Sequence, residues 1–295
     1  MKNKTRAAVA AAVVMLGVML AVHFLAERKR SRPGNVSPYS NVASATTGAF
    51  VSGLVAAYSF NEGAGTTAAD SSGTGNTGTI VNAVWTTSGK YGNALVFNGK
   101  NALVTIKDAA SLHLTTGMTL EAWVNPFAIP PANCIPTSTC YWMDVIHKDS
   151  DRYYIEASSN QNGEPEAGGI FVRPWTFLHF RTRSGKHVVF GPSALPLNTW
   201  THLALTYDSA MIRFYVNGVL VASPPETFSI TTSTNPLCIG GDPTQGQFFD
   251  GIIDEVRVYN VALTAAQIQT DMATPLASTI NERNRRPPAF SGVGH

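Results

Sequence analysis

Ile212-Arg213-Phe214-Tyr215-Val216-Asn217-Gly218 reads as a strand running into a tight turn. Side chains alternate across a strand with a period of two, so Ile212, Phe214 and Val216 share one face and Arg213 and Tyr215 the other. Asn217-Gly218 accepts the positive backbone angles of a type I′ turn, the favoured two-residue link between antiparallel strands. A half-buried hairpin is therefore predicted over these residues.

The same pattern spreads in both directions. Runs rich in β-branched and aromatic residues occupy 54–60, 94–97, 102–106, 118–124, 153–157, 177–182, 200–207 and 252–259, each bounded by turn-forming residues. One helix interrupts them. In Thr264-Ala265-Ala266-Gln267 the Thr264 hydroxyl and the Gln267 side chain satisfy free backbone donors reciprocally. The helix is expected to run to about Met272 and stop before Pro275. Many short strands with one terminal helix argue for a sandwich or jelly roll, not a βαβ fold.

Composition agrees. Hydrophobic residues make up 44%, enough for a substantial core, while charged residues are only 14%. Globular domains usually carry roughly 25% charged residues, so polarity here comes from Gly, Ser, Thr and Asn, which favour turns over charged helices. The net charge of +2 is too small for a nucleic-acid footprint.

The ends differ from the middle. Lys2, Lys4 and Arg6 precede an apolar run over 7–26, and roughly 20 apolar residues can cross a bilayer. Phe24 spoils the small-x-small pattern of a cleavage site. Residues 1–26 are therefore read as a signal anchor in preference to a cleaved signal peptide. Arg28, Lys29, Arg30 and Arg32 follow the span, so flanking charge does not set its orientation. Residues 27–52 read as a flexible linker, 53–273 as the β-sandwich domain and 274–295 as a disordered tail. Cys134 and Cys140 flank a short Pro/Thr/Ser loop. In an exported domain they form a disulfide, and in a reducing compartment they stay thiols. Cys238 stands alone.

Several phrases recur in a familiar order. They are Leu54-Val55-Ala56-Ala57-Tyr58-Ser59-Phe60, Asp70-Ser71-Ser72-Gly73, Ala94-Leu95-Val96-Phe97-Asn98-Gly99, Met118-Thr119-Leu120-Glu121-Ala122-Trp123-Val124, Trp200-Thr201-His202-Leu203-Ala204-Leu205-Thr206-Tyr207-Asp208, and Gly251-Ile252-Ile253-Asp254-Glu255-Val256-Arg257-Val258-Tyr259. Together they resemble the laminin-G-like jelly-roll family of the concanavalin A-like lectin and glucanase superfamily. The resemblance covers most of 53–273. It implies an all-β fold: a two-sheet antiparallel β-sandwich with one short C-terminal helix, here preceded by a transmembrane or signal helix. It says little about ligand, because one fold hosts many functions. Residues 127–192 match poorly and read as divergent loops.

Four candidate sites follow. The resemblance implies a structural calcium site drawing on Asp70, Asn76 and Asp254, since calcium prefers sets of hard oxygen ligands. The alternative is that Asp70 makes only an Asx turn. Gly73-Thr74-Gly75-Asn76-Thr77-Gly78 matches G-x-G-x-x-G, but β-like Thr79-Ile80-Val81 follows where a dinucleotide site needs a helix. Glycoside hydrolysis needs two carboxylates across the scissile bond. The Glu-x-Asp-x-x-Glu strand of related glucanases is missing, and adjacent Asp254 and Glu255 are expected to face opposite ways. Asp144, Asp149 and Asp151 lack the spacing. Finally, Trp142, Tyr153 and Trp175 offer rings for stacking on sugars, and Arg173 offers a partner for an anionic group. The alternative is that such aromatics fill the core. No H-E-x-x-H or G-x-S-x-G motif is present.

The expectation is a non-catalytic extracytoplasmic binding domain for a glycan or extracellular protein, stiffened by calcium and either held on a membrane by its N-terminal helix or secreted. The alternatives are a structural adhesion module without a small ligand, and a polysaccharide hydrolase or lyase.

Overall fold

The structure, a computed structural model, describes residues 53–128, 143–148, 153–157, 170–172, 187–189, 195–225, 227, 230, 232–244 and 246–277. Its strands are β1 (Leu54–Tyr58), β2 (Thr67–Ala68), β3 (Gly78–Val81), β4 (Val84–Thr86), β5 (Ala94–Asn98), β6 (Leu103–Ile106), β7 (Met118–Pro126), β8 (Asp144–Lys148) and β9 (Tyr153–Glu156). They continue as β10 (Ile170–Val172), β11 (His187–Val189), β12 (Thr201–Tyr207), β13 (Ile212–Val216), β14 (Val219–Ala222), β15 (Leu237–Ile239), β16 (Gly241–Asp242), β17 (Gln247–Phe248) and β18 (Asp250–Tyr259). One α-helix, α1 (Ala265–Ala273), follows.

The first sheet has the order β14-β13-β12-β7-β18-β5-β4, with β1 also paired to β18. The second has the order β16-β17-β8-β15-β6-β3-β2, with β9 also paired to β8. β10 and β11 form a separate antiparallel pair. Pairing is antiparallel throughout the described residues except at one point, where Phe248 of β17 runs parallel beside Asp144 of β8. That departs from the purely antiparallel expectation. It arises because the chain leaves β15, turns through β16 and comes back against the start of β8.

The hairpin that began the reading is present. Asn217 and Gly218 both have positive φ, 49° and 73°, between β13 and β14. Asn217 also ties the turn inward: its Oδ1 accepts from His202 N at 2.9 Å, and its own N–H donates to His202 O at 2.8 Å. The helix start is as predicted too. Gln267 N donates to Thr264 Oγ1 at 3.3 Å and Thr264 N donates to Gln267 Oε1 at 2.8 Å.

One apolar cluster takes side chains from both sheets. Leu95, Phe97, Leu120, Val124, Leu205, Phe214 and Val258 of the first sheet join Val104, Ile106, Ile146, Ile155, Leu237 and Ile239 of the second. Each fully buried Leu, Ile, Val or Phe contributes about 1.5–3 kcal/mol, so this cluster supplies the main driving force for stacking the sheets. Where the chain leaves β15, Gly240 passes so close to Phe97 that a Cβ would lie 2.1 Å from the ring. Only glycine fits there, and its φ of +87° needs glycine as well.

Among the described residues no helix is long and apolar enough to cross a membrane. The expected N-terminal span over 1–26 and the expected disulfide of Cys134 and Cys140 lie outside the described residues. Cys238 is buried and free.

Candidate functional site

Asp70 and Asn76 meet in one loop, and their hydrogen bonds explain its shape. Asp70 Oδ1 accepts from Ala57 N at 3.0 Å and Ser72 N at 2.9 Å, while Oδ2 accepts from Ser72 Oγ at 2.9 Å and Asn76 N at 2.8 Å. A carboxylate offers about four acceptor sites, and these donors together with Thr74 Oγ1, 3.0 Å from Oδ2, crowd them. Asn76 Nδ2 donates to Val55 O at 2.7 Å and Ser111 Oγ at 2.9 Å. Because a carbonyl only accepts, the amide nitrogen, not the oxygen, faces Val55. Asp254 is elsewhere in the network: its Oδ2 accepts from Tyr91 N at 3.0 Å and its Oδ1 from Glu255 N at 2.8 Å. Calcium needs free oxygens converging on one point. Asp70 and Asn76 share one loop, while Asp254 shares no hydrogen-bond partner with them among the described residues. Asp70 fastens the loop after β2 to β1.

Asp254 belongs to a buried polar layer on the outer face of the first sheet. Strict alternation would send Asp254 and Glu255 to opposite faces. Instead a bulge lies between Asp254 and Arg257, with Glu255 at φ 52°. The bulge puts Asp254 opposite Trp123 and Arg257 opposite Glu121. Arg257 Nη2 donates to Glu255 Oε2 at 3.0 Å and to Thr274 O at 2.6 Å, and Leu276 N donates to the same Glu255 oxygen at 2.7 Å. The chain after α1 is thereby clamped to β18. Lys90 Nζ sits 3.9 Å from the Trp123 ring centroid, and the His202 ring meets Trp123 edge-on at 5.2 Å.

Burial sets the charge states of this layer. It pushes Asp254 up to about 6 against the backbone N–H donors of Tyr91 and Glu255. It pushes Glu255 up to about 7 against the attraction of Arg257. Glu121 is raised well above the carboxylate range by burial and then by Asp271. His202 is lowered to about 3 by burial, with Arg257 and Lys90 adding to it, so the ring is neutral. The layer is closed to solvent, and its contacts hold α1 and the chain end in place.

The second sheet corrects one expected ligand residue. Tyr153 is buried in the apolar cluster, and its hydroxyl donates to Leu112 O at 3.1 Å. It presents no ring face to a sugar. Its cross-strand partner on β8, Lys148, reaches Asp108 Oδ1 at 2.6 Å. Trp142, Arg173 and Trp175 lie outside the described residues.

On the other face of β8 the structure brings together residues that the sequence reading did not combine. Asp144, His147 and Asp242 are all buried, with one ligand-type atom from each within 4.8 Å of the others. A bulge between Asp144 and Ile146 disturbs the alternation of β8, so spacing alone does not place Asp144 with His147. Asp242 arrives from 95 positions later in the chain (242 minus 147) by way of Gly240 and Gly241. The Gly-Gly-Asp sequence was the only available signal, and it is a weak one.

Comparison with known proteins agrees with this architecture. Residues 97–269 match the laminin-G family described as the concanavalin A-like lectin/glucanases superfamily. Mouse (Mus musculus) pappalysin-1 is 36% identical over 80 residues, 25% of this chain and 5% of that protein. Zebrafish (Danio rerio) adhesion G-protein coupled receptor V1 is 27% identical over 74 residues, 24% of this chain and 1% of that protein. The chain thus spans only a small part of these curated relatives. Among solved structures, domain 4 of the extracellular arabinanase AbnA of Geobacillus stearothermophilus, in complex with arabinotriose, superposes with a TM-score of 0.52 at 24% identity, over 75% of this chain and 98% of that one. The binding domain of paraclostridial mosquitocidal protein 1 superposes with a TM-score of 0.56 at 14% identity, over 75% and 52%. At these identities the likeness is one of fold.

Proposed function

Because the chain belongs to the laminin-G group of the concanavalin A-like lectin/glucanases superfamily, we propose that it is a non-catalytic recognition module for a carbohydrate outside the cytoplasm. The observation that carries this reading is one of extent. The chain covers 98% of a solved domain that holds arabinotriose and is itself one module of a larger extracellular enzyme. Its fold matches that domain over nearly the domain's whole length.

The buried carboxylates favour the same reading over hydrolysis. A glycosidase holds two acids on either side of an accessible bond. Asp254, Glu255 and Glu121 are instead all buried, with Asp254 accepting from Tyr91 N and Glu255 accepting from Leu276 N. Recognition would then fall to Trp142, Trp175 and Arg173, rings and a cation that the sequence supplies between β7 and β12. Residues 1–26 would keep the domain at a membrane. The fold is shared with a toxin binding domain, so a protein or glycolipid on a cell surface is the second reading.

A glycan array that includes arabinan fragments tests the proposal. A defined sugar preference that disappears in Trp142→Ala or Trp175→Ala is expected. A flat array, with adhesion to a protein-coated surface retained, would favour the second reading.

A further inference from the structure

We propose that Asp144, His147 and Asp242 form a structural site for a divalent first-row transition metal of the zinc type. This goes beyond the recognition reading and does not depend on it.

The geometry is the first argument. One ligand-type atom from each residue lies within 4.8 Å of the other two, and His147 Nε2 is 3.4 Å from Asp242 Oδ2. Metal–ligand bonds of about 2.0–2.2 Å at tetrahedral angles place neighbouring ligand atoms about 3.3–3.6 Å apart. The His147–Asp242 separation falls on that edge. It is longer than a good N–H···O bond, which lies at about 2.7–3.2 Å.

Asp242 is the second argument. It is fully buried, and its two oxygens are used differently. Oδ1 accepts from Thr244 N at 2.7 Å. Among the described residues Oδ2 accepts no hydrogen bond, and it lies 3.4 Å from His147 Nε2. A carboxylate that ligates a metal through one oxygen typically has the other fixed by an outer hydrogen bond. A buried carboxylate oxygen left without a donor is strongly disfavoured unless a cation meets it.

Ligand chemistry selects the ion. Calcium and magnesium take oxygen sets, and an imidazole nitrogen is foreign to them. Two carboxylates with one imidazole suit zinc or its first-row neighbours. The side-chain exposures of 4% for His147 and 0% for Asp242 make the role structural. The ion would pin β8 to the turn between β15 and β17, on the face away from the apolar core.

The full chain, stripped with chelator and dialysed against micromolar zinc, should retain one equivalent by mass spectrometry. At a hundredfold excess over Kd, zinc should raise Tm by about 5–10 °C. Asp242→Asn and His147→Gln should each lower zinc affinity by more than about tenfold, while Asp208→Asn, an exposed control, should retain the full equivalent. Should both variants fail to fold, cobalt added to the native chain still decides. Visible d–d bands of a low-coordinate site are expected, and a spectrum identical to aqueous cobalt would overturn the site. Zinc absent from the native chain, or one equivalent persisting in both folded variants, would overturn it equally.

Discussion

Tyr58 lies directly across from Val256, so the first and last strands of the domain are neighbours in one sheet. Leu54 lies across from Tyr259 at the other end of the same ladder. β18 pairs with β1 and β5 in succession along one edge and with β7 along the other. Such a strand is the keystone of the sheet. Tyr58 also donates its hydroxyl to Asn76 O, which joins the ladder to the Asp70 loop. Removing that buried donor in Tyr58→Phe should cost about 1–3 kcal/mol. Emptying the site in Tyr58→Ala should cost about 3–5 kcal/mol. Urea unfolding of the two variants measures both.

The Asp70 loop gives a prediction about calcium. With the carboxylate's donors all losing their acceptor at once, Asp70→Ala should destabilise by about 2–4 kcal/mol. Because those donors already fill the carboxylate, wild-type Tm should be unchanged between calcium and chelator. A shift confined to wild type and absent in Asp70→Ala would place an ion in that loop after all.

The buried layer under α1 makes stability depend on pH in two opposing ways. Asp254 and Glu255 have folded-state values raised from 3.8 to about 6 and from 4.5 to about 7. A raised carboxyl favours folding most at low pH, and that stability is lost as pH rises through the folded value. His202 is lowered from 6.5 to about 3. Its contribution is present above 6.5 and is lost as pH falls towards 3. Each group contributes a slope of at most about 1.4 kcal/mol per pH unit inside its window. Glu255→Gln should therefore remove part of the decline as pH rises from 4.5 to about 7, and His202→Phe should shrink the decline below pH 6.5. Chemical denaturation across this range reads both effects.

Gly240 makes a sharper structural prediction. A methyl group there would meet the Phe97 ring at 2.1 Å in a backbone conformation of φ +87°. Gly240→Ala should cost more than about 2 kcal/mol. Since Gly240 leads into Asp242, the same variant should also weaken the proposed zinc site. A neutral effect on Tm would show that the chain approaches Phe97 less closely than described.

The parts of this molecule that local chemistry dictates could be read from sequence. Asn217-Gly218 has one favoured hairpin geometry, and Thr264 with Gln267 has one favoured helix start, so both were predictable. Tyr153 and Tyr154 show the opposite case. They are adjacent, one must point into the core and one away, and nothing in their own chemistry says which. The two bulges went unread for a related reason. Glu255 takes a positive φ that glutamate does not favour, and only the surrounding sheet imposes it. Without the bulges, Asp254 and Arg257 do not share a face and Asp144 does not reach His147. Asp242 joins them across a long stretch of chain, and tertiary pairing alone makes that contact.

Binding and turnover measured on one sample test the recognition reading most directly. The full-length protein would be mixed with the polysaccharide that scores highest on the array. Retention on the polymer would be followed alongside release of reducing ends. Saturable retention with no new reducing ends is the predicted result, and reducing ends that accumulate in proportion to protein concentration would contradict it.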